Sequence, residues 1–221
     1  MITLSADELR ALVPMADAIA AVRDAFVAVA GRTIDQPQRL VSDDGLALSM
    51  MARDRASRDT VVKTVMITPE NRSRSLPTIR AVVTAYDGET GAPSLQIDGT
   101  AVTALRRAAA AGVATDLLAR PDAAVLAVIG AGGQARDQVD AVCAVRPIRE
   151  IRLVSSDGRS AAELADRLRA DGRTATITAT SSIEVGVAGA DAGCCATPAV
   201  TPLFAASAVP VACVGSSVFS L

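Results

Sequence analysis

Apolar and polar positions follow two different patterns along this 221-residue chain, and the change falls near residue 120. Before it, short apolar runs with period-two alternation are separated by turn-forming residues, which is typical of antiparallel strands. After it, short β-branched runs alternate with helical segments, which is typical of a parallel sheet covered by helices. The pattern predicts an α+β domain over residues 1–120 and a Rossmann-type, doubly wound parallel α/β sheet over residues 121–221.

The first part is predicted to open with two helices and to continue as an antiparallel sheet. Ser5 and Glu8 have the spacing of a capping box, Pro14 interrupts the helical pattern, and Gly31 ends the second helix. The remaining elements are short strands and one long Ala-rich helix capped by Thr100: strands 46–51, 61–68, 79–86 and 94–97, and helix 101–119.

The second part is predicted to alternate between strands and helices. The strands are predicted at residues 125–129, 151–155, 174–179, 193–196 and 209–214. The helices are predicted at residues 132–145, 160–170 and 182–188. This alternation is the order of a doubly wound fold, in which every strand is parallel to its neighbours.

A glycine-rich turn with the spacing Gly-x-Gly-x-x-Ala joins the first strand and helix of this second part. Gly130 permits a sharp turn, Gly132 lets the backbone approach a pyrophosphate, and Ala135 allows close packing of helix on strand. The segment predicts dinucleotide binding, with an ordinary glycine-rich turn as the alternative. The predicted cofactor-binding residues here are Gly130, Gly132, Gly133, Gln134 and Ala135, with Thr197 farther along the chain.

The end of the second parallel strand bears on the type of cofactor. An acidic residue at this place would hold the ribose hydroxyls of NAD. The sequence instead has Ser155 and Ser156, with Asp157 late and Arg159 close behind. Two hydroxyls and a guanidinium suit a 2′-phosphate, so NADP is slightly favoured over NAD and the binding residues include Ser155, Ser156 and Arg159. The alternative is that the serines are ordinary turn residues.

Lys63 lies on an apolar strand face that it shares with Val61, Val65 and Ile67. One interpretation is that the lysine protects an edge strand from aggregation. The other is that its amine faces a site, where it could bind or protonate an anion.

Composition narrows the classes of function. The formal net charge of −2, the absence of a long charge run and the lack of a sufficiently long apolar stretch argue against nucleic acid and membrane partners. Histidine is absent, so no histidine-based triad, metal ligand or general base is available, and no metal site is predicted. The four cysteines lack Cys-x-x-Cys spacing and the N-terminus lacks a signal peptide, which indicates reduced thiols in the cytoplasm.

Several motifs together resemble the ornithine cyclodeaminase/mu-crystallin family. They are VVKTV at 61–65, IDGTAVTALRRAAAAGVAT at 97–115, VIGAGGQAR at 128–136 and CVGSS at 213–217. The resemblance implies a substrate and dimerisation domain followed by a Rossmann domain, with the active site between them, in a homodimer. It also implies an NAD(P)-dependent oxidoreductase acting on a small α-amino or cyclic α-imino acid.

The resemblance also suggests residue roles. Arg39, Lys63 and Arg106 match the positions that bind the substrate carboxylate, and Lys63 would also exchange the proton at nitrogen as the catalytic residue. Ser217 stands at a substrate-site position where cyclodeaminases carry a catalytic Asp, which favours plain reduction or oxidation. The alternatives are an ornithine cyclodeaminase with tightly bound NAD, which releases ammonia, and a non-catalytic, NADPH-dependent ligand-binding protein of mu-crystallin type.

Chains of this family continue well beyond the position of Leu221. The Rossmann domain is therefore expected to be incomplete at its C-terminal end. The motifs do not determine the substrate side chain.

Overall fold

The computed structural model describes residues 1–197, 199, 201–205, 207 and 213–217. Its contacts divide the chain into two compact units: residues 1–14 with 21–103, and residues 15–20 with 104–221. The sequence pattern places the division after residue 120, whereas the contacts change between Thr103 and Ala104, inside one continuous helix.

The first unit is built on a seven-stranded sheet. Its elements in chain order are β1 (Ile2–Leu4), α1 (Ala6–Leu12), α2 (Met15–Ala30, which begins in the second unit), β2 (Ile34–Asp35), β3 (Leu40–Val41), β4 (Ala47–Asp54), β5 (Thr60–Ile67), a 3-10 turn (Pro69–Arg74), β6 (Ile79–Tyr86) and β7 (Pro93–Asp98). Helix α3 (Gly99–Leu118) begins in this unit and continues into the second.

The strand order is β1-β7-β6-β5-β4-β2, and β3 also pairs with β4. All pairs are antiparallel except that of β1 with β7. Strand β5 therefore lies inside the sheet, paired with β4 on one side and β6 on the other. The interpretation of Lys63 as a guard of an edge strand is wrong, because β5 has no free edge.

The helix ends follow capping chemistry. The capping box of Ser5 and Glu8 is present, which confirms that prediction. Thr100 does not cap α3, because the Asp98 carboxylate accepts the first hydrogen bonds, from the N–H groups of Thr100 at 2.9 Å and of Ala101 at 2.8 Å. A carboxylate is preferred at this end of a helix because it also complements the helix dipole.

The second unit is a five-stranded, wholly parallel sheet in the order β10-β9-β8-β11-β12. Its elements are β8 (Val125–Ile129), α4 (Ala135–Val145), β9 (Glu150–Val154), α5 (Arg159–Ala170), β10 (Thr176–Thr180), α6 (Ile183–Val187), β11 (Ala192–Cys195) and β12 (Val214–Ser217). This order confirms the predicted Rossmann-type fold. Of the predicted fifth strand, residues 209–212 lie outside the described residues, and the observed strand begins at Val214.

The central strand of the parallel sheet, β8, is buried on both faces. Leu126 and Val128 face a cluster that includes residues of α4 and α5. Ala127 and Ile129 face a second cluster with Val187 of α6. Helices thus cover both faces of β8, as a doubly wound sheet requires.

Candidate functional site

A cavity of about 340 Å³ opens at the carboxyl edge of the parallel sheet in the second unit. In folds of this kind, ligands bind at the carboxyl ends of the strands where the strand order reverses. The order β9-β8-β11 contains that reversal. The cavity is lined by Ile129, Gly130, Ala131, Gly132, Val154, Ser155, Ser156, Ser160, Ser181, Ile183, Ala196, Thr197 and Leu203.

The glycine turn forms one wall of this cavity. Gly130 has a φ of 100°, and a Cβ there would lie 2.3 Å from the Ala196 carbonyl oxygen. Only glycine fits this position, because it tolerates the left-handed region and has no side chain to clash. A Cβ on Gly132 would meet no heavy atom within 4 Å, so open space adjoins the backbone where the motif predicts a pyrophosphate. The turn therefore fits a dinucleotide.

The other predicted residues of the turn have different environments. Gly133 is exposed and a Cβ there would also meet open space. Gln134 precedes α4, and its buried Oε1 has no hydrogen-bond partner within the described structure. Ala135 is fully buried in the core, as close packing of helix and strand requires. Thr197 follows β11 in the sequence and also lines the cavity.

Several polar groups of the loop after β9 form hydrogen bonds with one another and with the start of α5. Ser155 Oγ donates to Asp157 Oδ1 at 2.9 Å and accepts from the Ala161 N–H at 3.1 Å. Asp157 also accepts from the N–H of Arg159 at 3.1 Å, and the Ser155 hydroxyl, as the main cause, lowers the pKa of Asp157. Ser155 thus has the turn role given above as the alternative, although it also lines the cavity.

Ser156, Asp157 and Arg159 are exposed. Ser156 lines the cavity, whereas Arg159 begins α5 beside the lining residue Ser160. The Arg159 guanidinium makes no ion pair or hydrogen bond within the part of the chain that the structure describes. Its charge therefore remains available near the mouth of the cavity.

Lys63 is half-buried in the first unit, on the interior strand β5. Its Nζ donates a hydrogen bond to Thr103 Oγ1, on the N-terminal part of α3. Lys63 is also the one lysine in the whole sequence. The amine thus has a polar partner within the unit, and the role of Lys63 as a site residue stays a prediction.

Arg39 immediately precedes β3, whose first residue, Leu40, pairs with Ser49 of β4. On the other side of β4, Met50 pairs with Lys63 of β5. Arg39 is exposed, and the strand that it precedes lies two strands from Lys63 in the same sheet.

The two remaining substrate-binding predictions fall elsewhere in the chain. Arg106 is exposed on the part of α3 that belongs to the second unit. Partial desolvation, and then the charge of Arg107, lower the pKa of Arg106. Ser217 is the last residue of β12 and its backbone pairs with Cys195, but its side chain lies outside the described atoms.

Sequence reasoning missed two groups of polar residues. Ser160 and Ser181 line the cavity, and Thr103 binds the Lys63 amine. Of these residues, only Thr103 had a signal in the sequence. It lies three residues before Arg106 on a helix, and residues three apart share a helix face.

Burial disfavours the thiolate form of three of the four cysteines. None of the four forms a disulfide. Burial raises the pKa of Cys143 to about 11 and also raises those of Cys195 and Cys213. A nucleophilic cysteine must be a thiolate, so these shifts disfavour such a role for the three residues.

The described residues contain neither a metal-binding cluster nor a membrane-spanning helix. No group of three or more cysteine, aspartate or glutamate side chains there could hold a metal ion. No helix among the described residues combines the length and apolar character needed to span a membrane.

The fold and the glycine turn define a chain with a Rossmann-type domain that follows an α+β unit. Residues 1–212 match the family model of the ornithine cyclodeaminase/mu-crystallin family, and the chain belongs to that family. The resemblance inferred from the sequence motifs is confirmed.

Characterised relatives include reductases and a dehydrogenase. The chain is 34% identical to a Delta(1)-pyrroline-2-carboxylate reductase of Bacillus cereus over 157 aligned residues. The alignment covers 69% of this chain and 48% of that protein. It superposes with a TM-score of 0.89 and 31% identity on the Thermococcus litoralis Delta(1)-pyrroline-2-carboxylate reductase in complex with NADH and L-proline, covering 99% of this chain and 69% of that one. The chain also superposes on an archaeal alanine dehydrogenase dimer with bound NAD, with a TM-score of 0.83 and 27% identity. That superposition covers 95% of this chain and 64% of the dehydrogenase. The chain thus spans about half the length of the curated reductase.

Proposed function

We propose that this chain acts as a nicotinamide-dependent reductase on the C=N bond of a small cyclic α-imino acid. The observation that carries the proposal is the similarity, over 99% of the chain, to a reductase that holds NADH and L-proline. L-Proline is the amino acid that forms when the C=N bond of a five-membered cyclic imino acid is reduced. An amino-acid dehydrogenase would use the same hydride exchange in the opposite direction.

The cavity of the second unit is the proposed cofactor site. The glycine turn, Gly130 to Gly133, would hold the pyrophosphate through backbone N–H groups, at the start of α4. Gln134, Ala135 and Thr197 would complete that part of the site. When bound, the nicotinamide would supply the hydride that the substrate carbon receives.

For the choice between cofactors, we favour NADP. Ser156 offers a hydroxyl and Arg159 a guanidinium that has no partner among the described residues, both at the loop after β9, where nicotinamide sites recognise the ribose 2′ group. The Asp157 carboxylate, which would otherwise suit a ribose hydroxyl, is engaged by Ser155 and the start of α5. Both facts support recognition of a 2′-phosphate, although the solved relatives above hold NADH or NAD.

The substrate would be held through its carboxylate by Arg39 and Arg106, since a guanidinium can pair with a carboxylate in two parallel hydrogen bonds. Lys63 would donate a proton to the imine nitrogen while the neighbouring carbon accepts hydride. The C=N bond then becomes a CH–NH bond, and the charges balance. Ser217 would line the substrate site without acting as a base, because a hydroxyl is a far weaker base than a carboxylate.

We also propose a homodimer in the cytoplasm. The sheet face opposite Lys63 carries exposed apolar side chains, including Leu40 (74% exposed), Met66 (50%) and Val82 (42%). A patch of this kind is typical of an interface. The archaeal alanine dehydrogenase is a dimer, and the absence of disulfides among the four cysteines suits a reducing compartment.

The test is a cofactor-oxidation assay at 340 nm. NADH and NADPH are each supplied with cyclic imino acids, and with α-keto acids plus ammonia or methylamine. Oxidation with a cyclic imino acid supports the proposal, and Lys63→Ala should abolish it while cofactor binding stays nearly intact. Ammonia release from L-ornithine without net cofactor change would favour a cyclodeaminase. Saturable cofactor binding without turnover of any substrate would favour a binding protein.

A further inference from the structure

The Thr103 hydroxyl has a fixed direction in its hydrogen bonds. Thr103 Oγ1 donates to the Gly99 carbonyl oxygen at 2.6 Å and accepts from Lys63 Nζ. A hydroxyl has one proton, and here the carbonyl takes it. The oxygen can therefore act toward Lys63 only as an acceptor, so the amine is always the donor in this pair.

The fold brings this hydroxyl to the amine through a close contact of helix and sheet. A Cβ on Gly99 would lie 2.7 Å from the carbonyl carbon of Ala81 on β6, so only glycine lets α3 begin this close to the sheet. Ala81 pairs with Val65, which is two residues from Lys63 on the same face of β5. Thr103 lies one helical turn after Gly99, which carries its hydroxyl along this face toward the amine.

The two partners are held by different elements of the first unit. Lys63 has its backbone fixed by pairing with both Met50 and Val83. Its side chain nevertheless has four rotatable bonds and would lose much entropy if it were held in one place. The bond to Thr103 anchors the end of this flexible side chain to a helix.

We propose that Thr103 is a positioning residue for Lys63: it restricts the amine to one place and presents it for proton transfer without touching the substrate. The inference rests on the proposed function, in which Lys63 is the proton donor. A purely local role is the competing explanation, because threonine in a helix often bonds back to the carbonyl four residues earlier. The two explanations differ in whether loss of the hydroxyl changes the motion of Lys63.

The single lysine makes that motion directly measurable. Protein grown with lysine labelled at ¹³Cε gives a signal from Lys63 alone, since the sequence has no other lysine. Relaxation of this ¹³C signal then gives the order parameter of the Lys63 Cε methylene group, at the end of the side chain. The variants are Thr103→Val, which keeps the shape and removes the hydroxyl, Thr103→Ala, which favours the helix, and Thr103→Ser, which keeps the hydroxyl.

We expect the order parameter of Lys63 Cε to fall in Thr103→Val and Thr103→Ala, and to stay near the wild-type value in Thr103→Ser. The kcat for imine reduction should fall by roughly 10- to 100-fold in the first two variants, as for a displaced catalytic group, with the KM for cofactor unchanged. Thr103→Ser should retain activity within a few-fold. Thermal melts of all variants identify any that fail to fold.

An unchanged order parameter in both folded variants that lack the hydroxyl would overturn the inference. So would a Thr103→Ser variant as impaired as Thr103→Val. A wild-type protein that oxidises no cofactor would instead overturn the proposed function. The relaxation measurement needs neither substrate nor cofactor, so it decides separately whether Thr103 holds the amine.

Discussion

Arg39 immediately precedes β3 and Lys63 lies on β5, and these two strands flank β4 in the seven-stranded sheet. Neighbouring strands are separated by about 4.8 Å, so β3 and β5 are about 10 Å apart. A guanidinium and an amine at this spacing can reach opposite ends of a small molecule. This suits a substrate whose carboxylate and nitrogen are handled by different side chains.

Replacement of Arg39 by leucine should weaken substrate binding selectively. We expect the KM for the imino acid to rise by roughly 10- to 100-fold, the range that loss of a hydrogen bond to a charged group implies. The dissociation constant of the cofactor should not change. Arg53→Leu is the matched control, because Arg53 pairs with Thr60 and projects from the face of the sheet opposite Lys63. Equal effects of both substitutions on KM would contradict the role of Arg39.

Replacement of Gly130 by alanine should abolish cofactor binding. The new Cβ would lie 2.3 Å from the Ala196 carbonyl oxygen, so the turn or β11 must move. Gly172→Ala is the control, since Gly172 also has a positive φ, 81°, but a Cβ there meets open space. Fluorescence titration with NADH and NADPH measures binding, and thermal melts measure folding. The control should bind cofactor normally and lose about 1–2 kcal/mol of stability. Normal binding by Gly130→Ala would show that the turn does not hold the dinucleotide.

Replacement of Arg159 by leucine should weaken NADPH binding by roughly 10-fold or more, because a charge-assisted hydrogen bond to the 2′-phosphate is lost. Binding of NADH should be unaffected. Arg167→Leu, an exposed arginine near the other end of α5, controls for the change in helix charge. Calorimetric titration of each cofactor gives the comparison. A loss that is equal for NADH and NADPH would favour the simple turn interpretation of the loop after β9.

Replacement of Met66 by glutamate should dissociate the proposed dimer. A charge at the centre of an apolar interface must lose its hydration without a partner, which is costly. Light scattering during gel filtration, over a range of protein concentrations, gives the mass of wild type and variant. A wild type that stays monomeric at every concentration would refute the proposed dimer.

Asp191 should make the free energy of unfolding depend on pH in the acid range. Its carboxylate accepts from the backbone N–H groups of Ala124 at 2.8 Å and Val125 at 3.0 Å, and also pairs with Arg120. These contacts, led by the Ala124 N–H, lower the pKa of Asp191 below its usual value of 3.8.

Because the folded pKa is the lower one, Asp191 stabilises the fold fully above the unfolded value, and this stabilisation is lost as the pH falls through the folded value. Asp191→Asn should therefore reduce the free energy of unfolding at pH 7 by about 1–3 kcal/mol. The difference from wild type should shrink toward pH 3. Urea unfolding at pH 7, 5 and 3 measures it, and a difference that is constant with pH would assign the loss to shape rather than charge.

The elements of the parallel sheet were well predicted because their signals are local. The strand at residues 125–129 has the predicted bounds, and so does the antiparallel strand at 79–86. A short apolar run bounded by turn residues needs no distant partner to identify it. The predicted start of α4 at Gly132 was three residues early, because the glycine turn occupies those positions before the helix begins at Ala135.

Most features that sequence reasoning missed depend on contacts between distant residues, and one depends on how two elements join. Thr103 is forty residues from Lys63, and no local pattern joins them. Thr100 is a favourable cap residue, yet Asp98 takes that role because the chain leaves β7 and enters α3 without an intervening loop. The position of Lys63 on an interior strand followed from the order of the sheet, which strand patterns alone do not specify.

Helix α3 begins in one compact unit and ends in the other, and residues 15–20 of α2 belong with the second unit although their neighbours on both sides belong with the first. Neither unit is thus a continuous stretch of the chain. A cut between residues 103 and 104 would create two new helix ends, each with unsatisfied backbone groups. Gene fusion or exchange of one unit alone would therefore have to cut both helices.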